Sequence, residues 1–264
     1  MQAAYDFRDE CDAIAAVLAP LSGADFDRAT LFKGWTISDI VGHLHLWNIA
    51  ADLTLTDPKA FAEFIVTAMT GLQQGHSHKQ LQDDYFKGKS GRALYEDWLD
   101  YYPAMAERFA AADPEARVKW AGPDMSAASC IIARQMEHWA HAQAIYDVLG
   151  LGRVNETRLK NVAHIGVTTY SWSFKVRGQT PPLPKPYVKL TAPDGSLWEW
   201  NNPQEDNAII GTATEFSQVV TQCRNIGDTS IEMIGDTAKQ WMSIAQCFAG
   251  GAETPPPKGT RRKA

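Results

Sequence analysis

At 264 residues the chain can bury one large core or two small ones, and its change of character part-way along favours two. The formal net charge of −6, with acidic and basic residues mixed along the length, leaves no broad basic field to hold a phosphate backbone, so no nucleic-acid partner is expected. Cys11, Cys130, Cys223 and Cys247 stand singly, the first residues are too polar for a signal peptide, and no stretch reaches the ~18 uninterrupted apolar residues of a membrane span. The expectation is a soluble cytoplasmic protein without a membrane partner, a monomer or homodimer, acting on a small molecule.

Helical periodicity runs to about residue 150 and predicts helices near 3–19, 36–56, 58–74, 91–112 and 126–150. Thr36, with Asp39 three residues on, forms a capping-box pattern that fixes the start of the second helix. His76 and His78 fall in a polar connection and read as solvated. Beyond Gly150-Leu151-Gly152 a helix near 156–174 leads to the proline-rich connector 181–186, so the expected domains are 1–151 and 152–250. Residues 187–191 and 196–200 alternate in the strand period and flank Asp194-Gly195, the dipeptide of a tight hairpin. Thr212 with Glu215 opens a helix to about Gln222, 230–234 reads as a strand, and Asp236 caps a last helix ending near 248–251. A disordered tail is expected over 251–264, carrying the basic cluster from Lys258 to Lys263. The fold class is α+β, a helix bundle followed by a small α/β domain.

At 100° per residue His43 shares a stripe with Ile40, Trp47 and Ala50 and points inward, while His45 lies with Val41, Asn48 and Asp52 and points out. Glu137 and His141, four residues apart, stack on one helix face with Cys130, Ala133, Ala144 and Val148. A carboxylate on such an apolar stripe is costly unless paired, hydrogen-bonded or bound to metal. Two imidazoles and a carboxylate suit catalytic zinc or the facial triad of non-haem iron. The bland alternatives are a satisfied core histidine and an intrahelical hydrogen bond. His138 stands as a substitute ligand, and Asp39 as a carboxylate that could orient His43 were it not already a cap.

With Gly34-Trp35-Thr36, the helix of His43 and the stretch Met136-Glu137-His138-Trp139-Ala140-His141, the chain resembles the mycothiol-dependent maleylpyruvate isomerase and DinB-like superfamily over nearly its full length. The resemblance implies a metal-binding, DinB-like four-helix bundle and a C-terminal α/β domain similar to sterol carrier proteins. It implies His43, Glu137 and His141 as ligands of a divalent metal, zinc first and iron or nickel as alternatives. It also implies a low-molecular-weight thiol such as mycothiol as co-substrate, in a thiol-assisted isomerase or transferase acting on a small carboxylate-bearing molecule. Arg224 is the first cationic group for that carboxylate by its place in the family pattern, with Arg134, Arg177 and His164 as further substrate-binding candidates; for each arginine alone a salt bridge is the default. Two other functions stay open: a metal-dependent hydratase or hydrolase without thiol, and a non-catalytic ligand carrier with a structural metal and a cavity lined by Trp198, Trp200, Phe216 and Trp241.

Overall fold

The computed structural model describes residues 1–122 and 124–261. Its chain divides into a first compact unit, Met1–Val148, and a second that begins at Leu149. The fold is α+β, with the helices concentrated in the first unit and one four-stranded sheet in the second.

The first unit contains α1 (Gln2–Leu18), α2 (Ile37–Thr56), α3 (Pro58–Gln73), α4 (His78–Tyr85), α5 (Gly91–Ala111) and α6 (Ala127–Leu149), with a short hairpin of β1 (Arg117–Val118) and β2 (Met125–Ser126) before α6. The long helices α1, α2, α5 and α6 make the bundle, and α3 and α4 lie against α2. Thr36 caps α2 as its sequence indicates: its Oγ1 accepts from the Asp39 amide at 3.0 Å, and Asp39 Oδ2 accepts from the Thr36 amide at 2.9 Å. α3 follows almost without a loop because Asp57 accepts from the Ala60 amide at 3.0 Å and Pro58 fills the first helical position, where no amide donor is needed.

α4 is absent from the sequence reading, which has a polar connection there. Its signal is present, however: Ser77 and Gln80 cap each other reciprocally, the Gln80 Oε1 accepting from the Ser77 amide at 2.8 Å. α4 and the residues after it cover the second face of α2. His45 therefore does not point out; it is 4% exposed and stacked on Phe86 at 5.2 Å.

In the second unit, the single helix expected over 156–174 is a short turn followed by α7 (Lys160–Thr168) and α8 (Tyr170–Lys175). The break falls at Thr169, whose hydroxyl turns back to the Ile165 carbonyl at 2.7 Å and so competes with regular helix. β3 (Tyr187–Thr191) pairs antiparallel with β4 (Leu197–Trp200) and parallel with β5 (Ala208–Thr212), which pairs antiparallel with β6 (Glu232–Ile234). β5 has no counterpart among the expected elements; the sequence of this stretch shows only the Thr212 cap of α9 (Ala213–Val220).

The hairpin is looser than a two-residue turn: Ala192 and Ser196 still pair at 2.8 Å, and Gly195 takes the left-handed conformation at φ 83° that closes a three-residue loop. α10 (Asp236–Ile244) is preceded by Gly235 as its cap and ends four residues before the expected Phe248. Phe216 and Trp241 are fully buried, and Trp198 nearly so; Trp241 lies 5.0 Å from the Tyr170 ring and 5.9 Å from Phe216. These aromatics fill the core.

The segment expected as a disordered tail is tied down as far as residue 261. Asn225 donates to the Pro256 carbonyl at 2.8 Å, Asp228 accepts from the Gly259 amide at 2.9 Å, and Arg261 donates to the Gln222 carbonyl at 3.0 Å. Arg262 and Lys263 of the basic cluster lie outside the described residues.

A Cβ at Gly166 of α7 would meet Val220 Cγ2 at 2.7 Å and Phe216 Cε1 at 3.0 Å, both from α9. Gly166→Ala is expected to destabilise the second unit by about 1–3 kcal/mol through overpacking. Urea unfolding checks this, and an unchanged or raised midpoint would contradict the close approach of α7 and α9.

Candidate metal centre

The loop before α2 is itself a small hairpin. Thr30 donates to the Trp35 carbonyl at 2.8 Å and Trp35 to the Phe32 carbonyl at 2.9 Å. Lys33 and Gly34, at φ 53° and 72°, both occupy the left-handed region that this tight turn requires. Its two ends carry aromatic rings to α6: Phe32 stands edge-on to His141 at 4.9 Å, and Trp35 lies parallel to His141 at 6.0 Å and 5.3 Å from His43.

Beneath these rings α2 supplies His43 and α6 supplies Glu137 and His141. His141 Nε2 is 3.2 Å from Glu137 Oε2, His43 Nε2 is 3.6 Å from the same oxygen, and the two imidazole centroids are 4.6 Å apart. One donor atom from each side chain lies within 4.8 Å of the others. Burial opposes ionisation of Glu137, but the His141 hydrogen bond and the nearby His43 outweigh it and hold the carboxyl well below its usual range. Burial pushes His43 down to about 3, with Glu137 only partly opposing. At neutral pH the centre therefore combines a carboxylate with a neutral His43 imidazole. Nδ1 of His141 is buried without a partner. A carboxylate oxygen and imidazole nitrogens converging at this spacing fit a divalent cation of the zinc or iron class.

His138 does not join them. Its Nδ1 lies 2.7 Å from the Arg134 carbonyl and must donate there, which leaves Nε2 to accept from Asn48 Nδ2 and Trp98 Nε1, each at 3.3 Å. With both nitrogens committed and Phe7 packed edge-on at 5.0 Å, it is a satisfied core histidine and not the alternative ligand its position allowed. Arg134 is 2% exposed and donates to Asn48 Oδ1 and the Leu44 carbonyl, each at 3.2 Å. It joins α6 to α2 within the core, where the sequence reading had it among substrate-binding groups. Asp39 has one oxygen on the Thr36 amide and the other on Lys79, so it does not orient His43.

Sequence reasoning missed Phe32 and the placement of His78. The latter stands at the first position of α4 with its ring 6.0 Å from that of His43, not out in a loop.

In the second unit, Arg224 is 7% exposed and donates to the Cys223 carbonyl at 2.9 Å. Arg177 donates to the Ser173 carbonyl at 2.8 Å and to the Glu253 carbonyl, pinning the C-terminal segment. His164 is exposed, and its Nδ1 accepts from Trp200 Nε1 at 3.2 Å.

Residues 7–146 match the family model described as the mycothiol maleylpyruvate isomerase N-terminal domain. The chain belongs to this family. An uncharacterised protein of Mycobacterium tuberculosis, found in strains CDC 1551 / Oshkosh and ATCC 25618 / H37Rv, is 35% identical over 255 residues, covering 96% of each chain. The crystal structure of the mycothiol-dependent maleylpyruvate isomerase shares the fold at a TM-score of 0.50 and 16% identity, covering 83% of this chain and 87% of that one. The stretch matched to the family includes His43, Glu137 and His141. No described helix is long and apolar enough to cross a membrane.

Two measurements check the electrostatics of this family member's bundle. His138→Ala strands the Asn48 and Trp98 donors and leaves a cavity, so a loss of about 3 kcal/mol or more is expected in urea unfolding. A loss under about 1 kcal/mol would contradict its place at the core. Burial pushes His45 down to about 4. The unfolded imidazole, at about 6.5, binds a proton that the folded one refuses until about 4, so stability is full above that window and falls as pH drops through it. His45→Leu is expected to flatten this acid limb by up to ~1.4 kcal/mol per pH unit; an unaltered pH profile would contradict it.

Proposed function

We propose that the chain is a divalent-metal-dependent, thiol-assisted isomerase or transferase acting on a small carboxylate-bearing molecule, with His43, Glu137 and His141 holding the ion. The observation that supports this most is the convergence of three Lewis-basic atoms from two helices to within 4.8 Å, in a family defined by a mycothiol-dependent isomerase. Zinc is the first choice for such a set, iron the second.

A divalent ion held in this position would supply Lewis acidity that lowers the pKa of a thiol and favours the nucleophilic thiolate near neutral pH. The chain's own residues prepare that position. Glu137 is held ionised, so it brings negative charge without releasing a proton, and His43 presents a neutral imidazole. Trp35 and Phe32 cover His141 and keep water from one side of the centre. Glu137 keeps 24% side-chain exposure.

Elemental analysis of protein purified without added metal or chelator tests the reading. About one equivalent of zinc or iron is expected in the wild type, and near-complete loss in His43→Ala and in His141→Ala. No metal in the wild type, even after reconstitution with zinc, would overturn it. With metal present, turnover of small unsaturated acids that requires added mycothiol supports the thiol-assisted reaction, and metal-dependent turnover that ignores thiol would replace it with a water-activating one.

A further inference from the structure

α4 brings a third imidazole to the centre. His78 follows the Ser77 cap, and its ring lies edge-on to His43 at 6.0 Å and 6.4 Å from Trp47. Trp47 is itself 6.4 Å from His43, so the indole forms a shelf shared by the two imidazoles. The first turn of α4 is anchored beside the first turn of α2: Lys79 pairs with Asp39, and Gln82 Nε2 donates to the Asp39 carbonyl at 3.2 Å. These contacts tie the start of α4 to α2, with the His78 ring against His43 and Trp47.

Two imidazoles bound to one tetrahedral ion at about 2.0–2.1 Å per bond place their centroids about 5 Å apart. The His43–His141 spacing of 4.6 Å and the His43–His78 spacing of 6.0 Å fall on either side of that figure. His78 is not among the side chains gathered within 4.8 Å. His78 is exposed, and rotation about its side-chain bonds moves the ring without movement of the α4 backbone.

We infer that His78 is a fourth, displaceable ligand of an ion held by His43, Glu137 and His141. It closes the coordination shell in the resting protein and yields its place to an incoming thiol or substrate oxygen. This rests on the metal reading above. A resting site built this way has three imidazoles and one carboxylate, and it protects the ion from adventitious thiols until a ligand that binds more tightly arrives.

Titration of the full chain with zinc and with cobalt(II) tests the inference, comparing wild type, His78→Ala and, as control, His76→Ala from the same connection. His78 is exposed, so its replacement is expected to leave the fold intact, which far-ultraviolet circular dichroism checks. The expected result is zinc binding weakened at least about tenfold in His78→Ala, with a changed visible spectrum of the cobalt form that added imidazole restores. His76→Ala is expected to match wild type in both. Equal affinity and identical cobalt spectra in wild type and His78→Ala would overturn the fourth ligand while leaving the metal centre standing. A wild type that binds neither ion would overturn both.

Discussion

The bundle depends on one buried histidine. His138 receives a ring from α1 (Phe7), a hydrogen bond from α2 (Asn48) and another from α5 (Trp98), and donates within its own helix to Arg134. All four long helices meet at this side chain. Leaving a buried polar group unsatisfied is costly, and here both nitrogens are used, so a shift of helix register would strand a donor or acceptor. Burial and the neighbouring Arg134 hold the imidazole neutral, well below its ordinary range, as this hydrogen-bond pattern requires.

That register sets the candidate centre. Arg134 reaches across to Asn48 and Leu44 of α2, and Glu137 and His141 lie three residues beyond Arg134 and His138 respectively, so each stands almost one turn along from a residue of the network. On α2, His43 precedes Leu44 and lies just over one turn before Asn48. Locking Asn48, Arg134 and His138 therefore brings His43, Glu137 and His141 to a common point. The division of labour between adjacent histidines follows: His138 has both nitrogens saturated inside the core, whereas His43 and His141 meet over a carboxylate beneath Trp35.

How much of this was legible in the sequence depended on whether a signal was local. Helical period placed His43 on an inward stripe and stacked Glu137 with His141, and the capping pair Thr36 and Asp39 fixed the start of α2; the structure brings these residues together as that period implies. The same period misplaced His45, because a helix covered on nearly every side has no outward stripe, and what covers His45 is Phe86, just after α4, and Tyr101 of α5. α4 is eight residues long and polar, too short to show a period, and only its reciprocal cap marks it. The stripe left His138 as a substitute ligand, because the partners that saturate it come from three distant segments. In the second unit the split at Thr169 and the strand β5 turn on a side-chain hydrogen bond and on pairing with β3, neither of which appears in a one-dimensional pattern.

The measurement that tests the central claim most directly is a crystal structure of the protein as purified, with anomalous data collected on both sides of the zinc edge. The account expects one strong anomalous peak about 2.0–2.2 Å from the imidazole nitrogens of His43 and His141 and from a Glu137 oxygen. A map with no peak there in zinc-reconstituted crystals, with the His141–Glu137 hydrogen bond still in place, would contradict it.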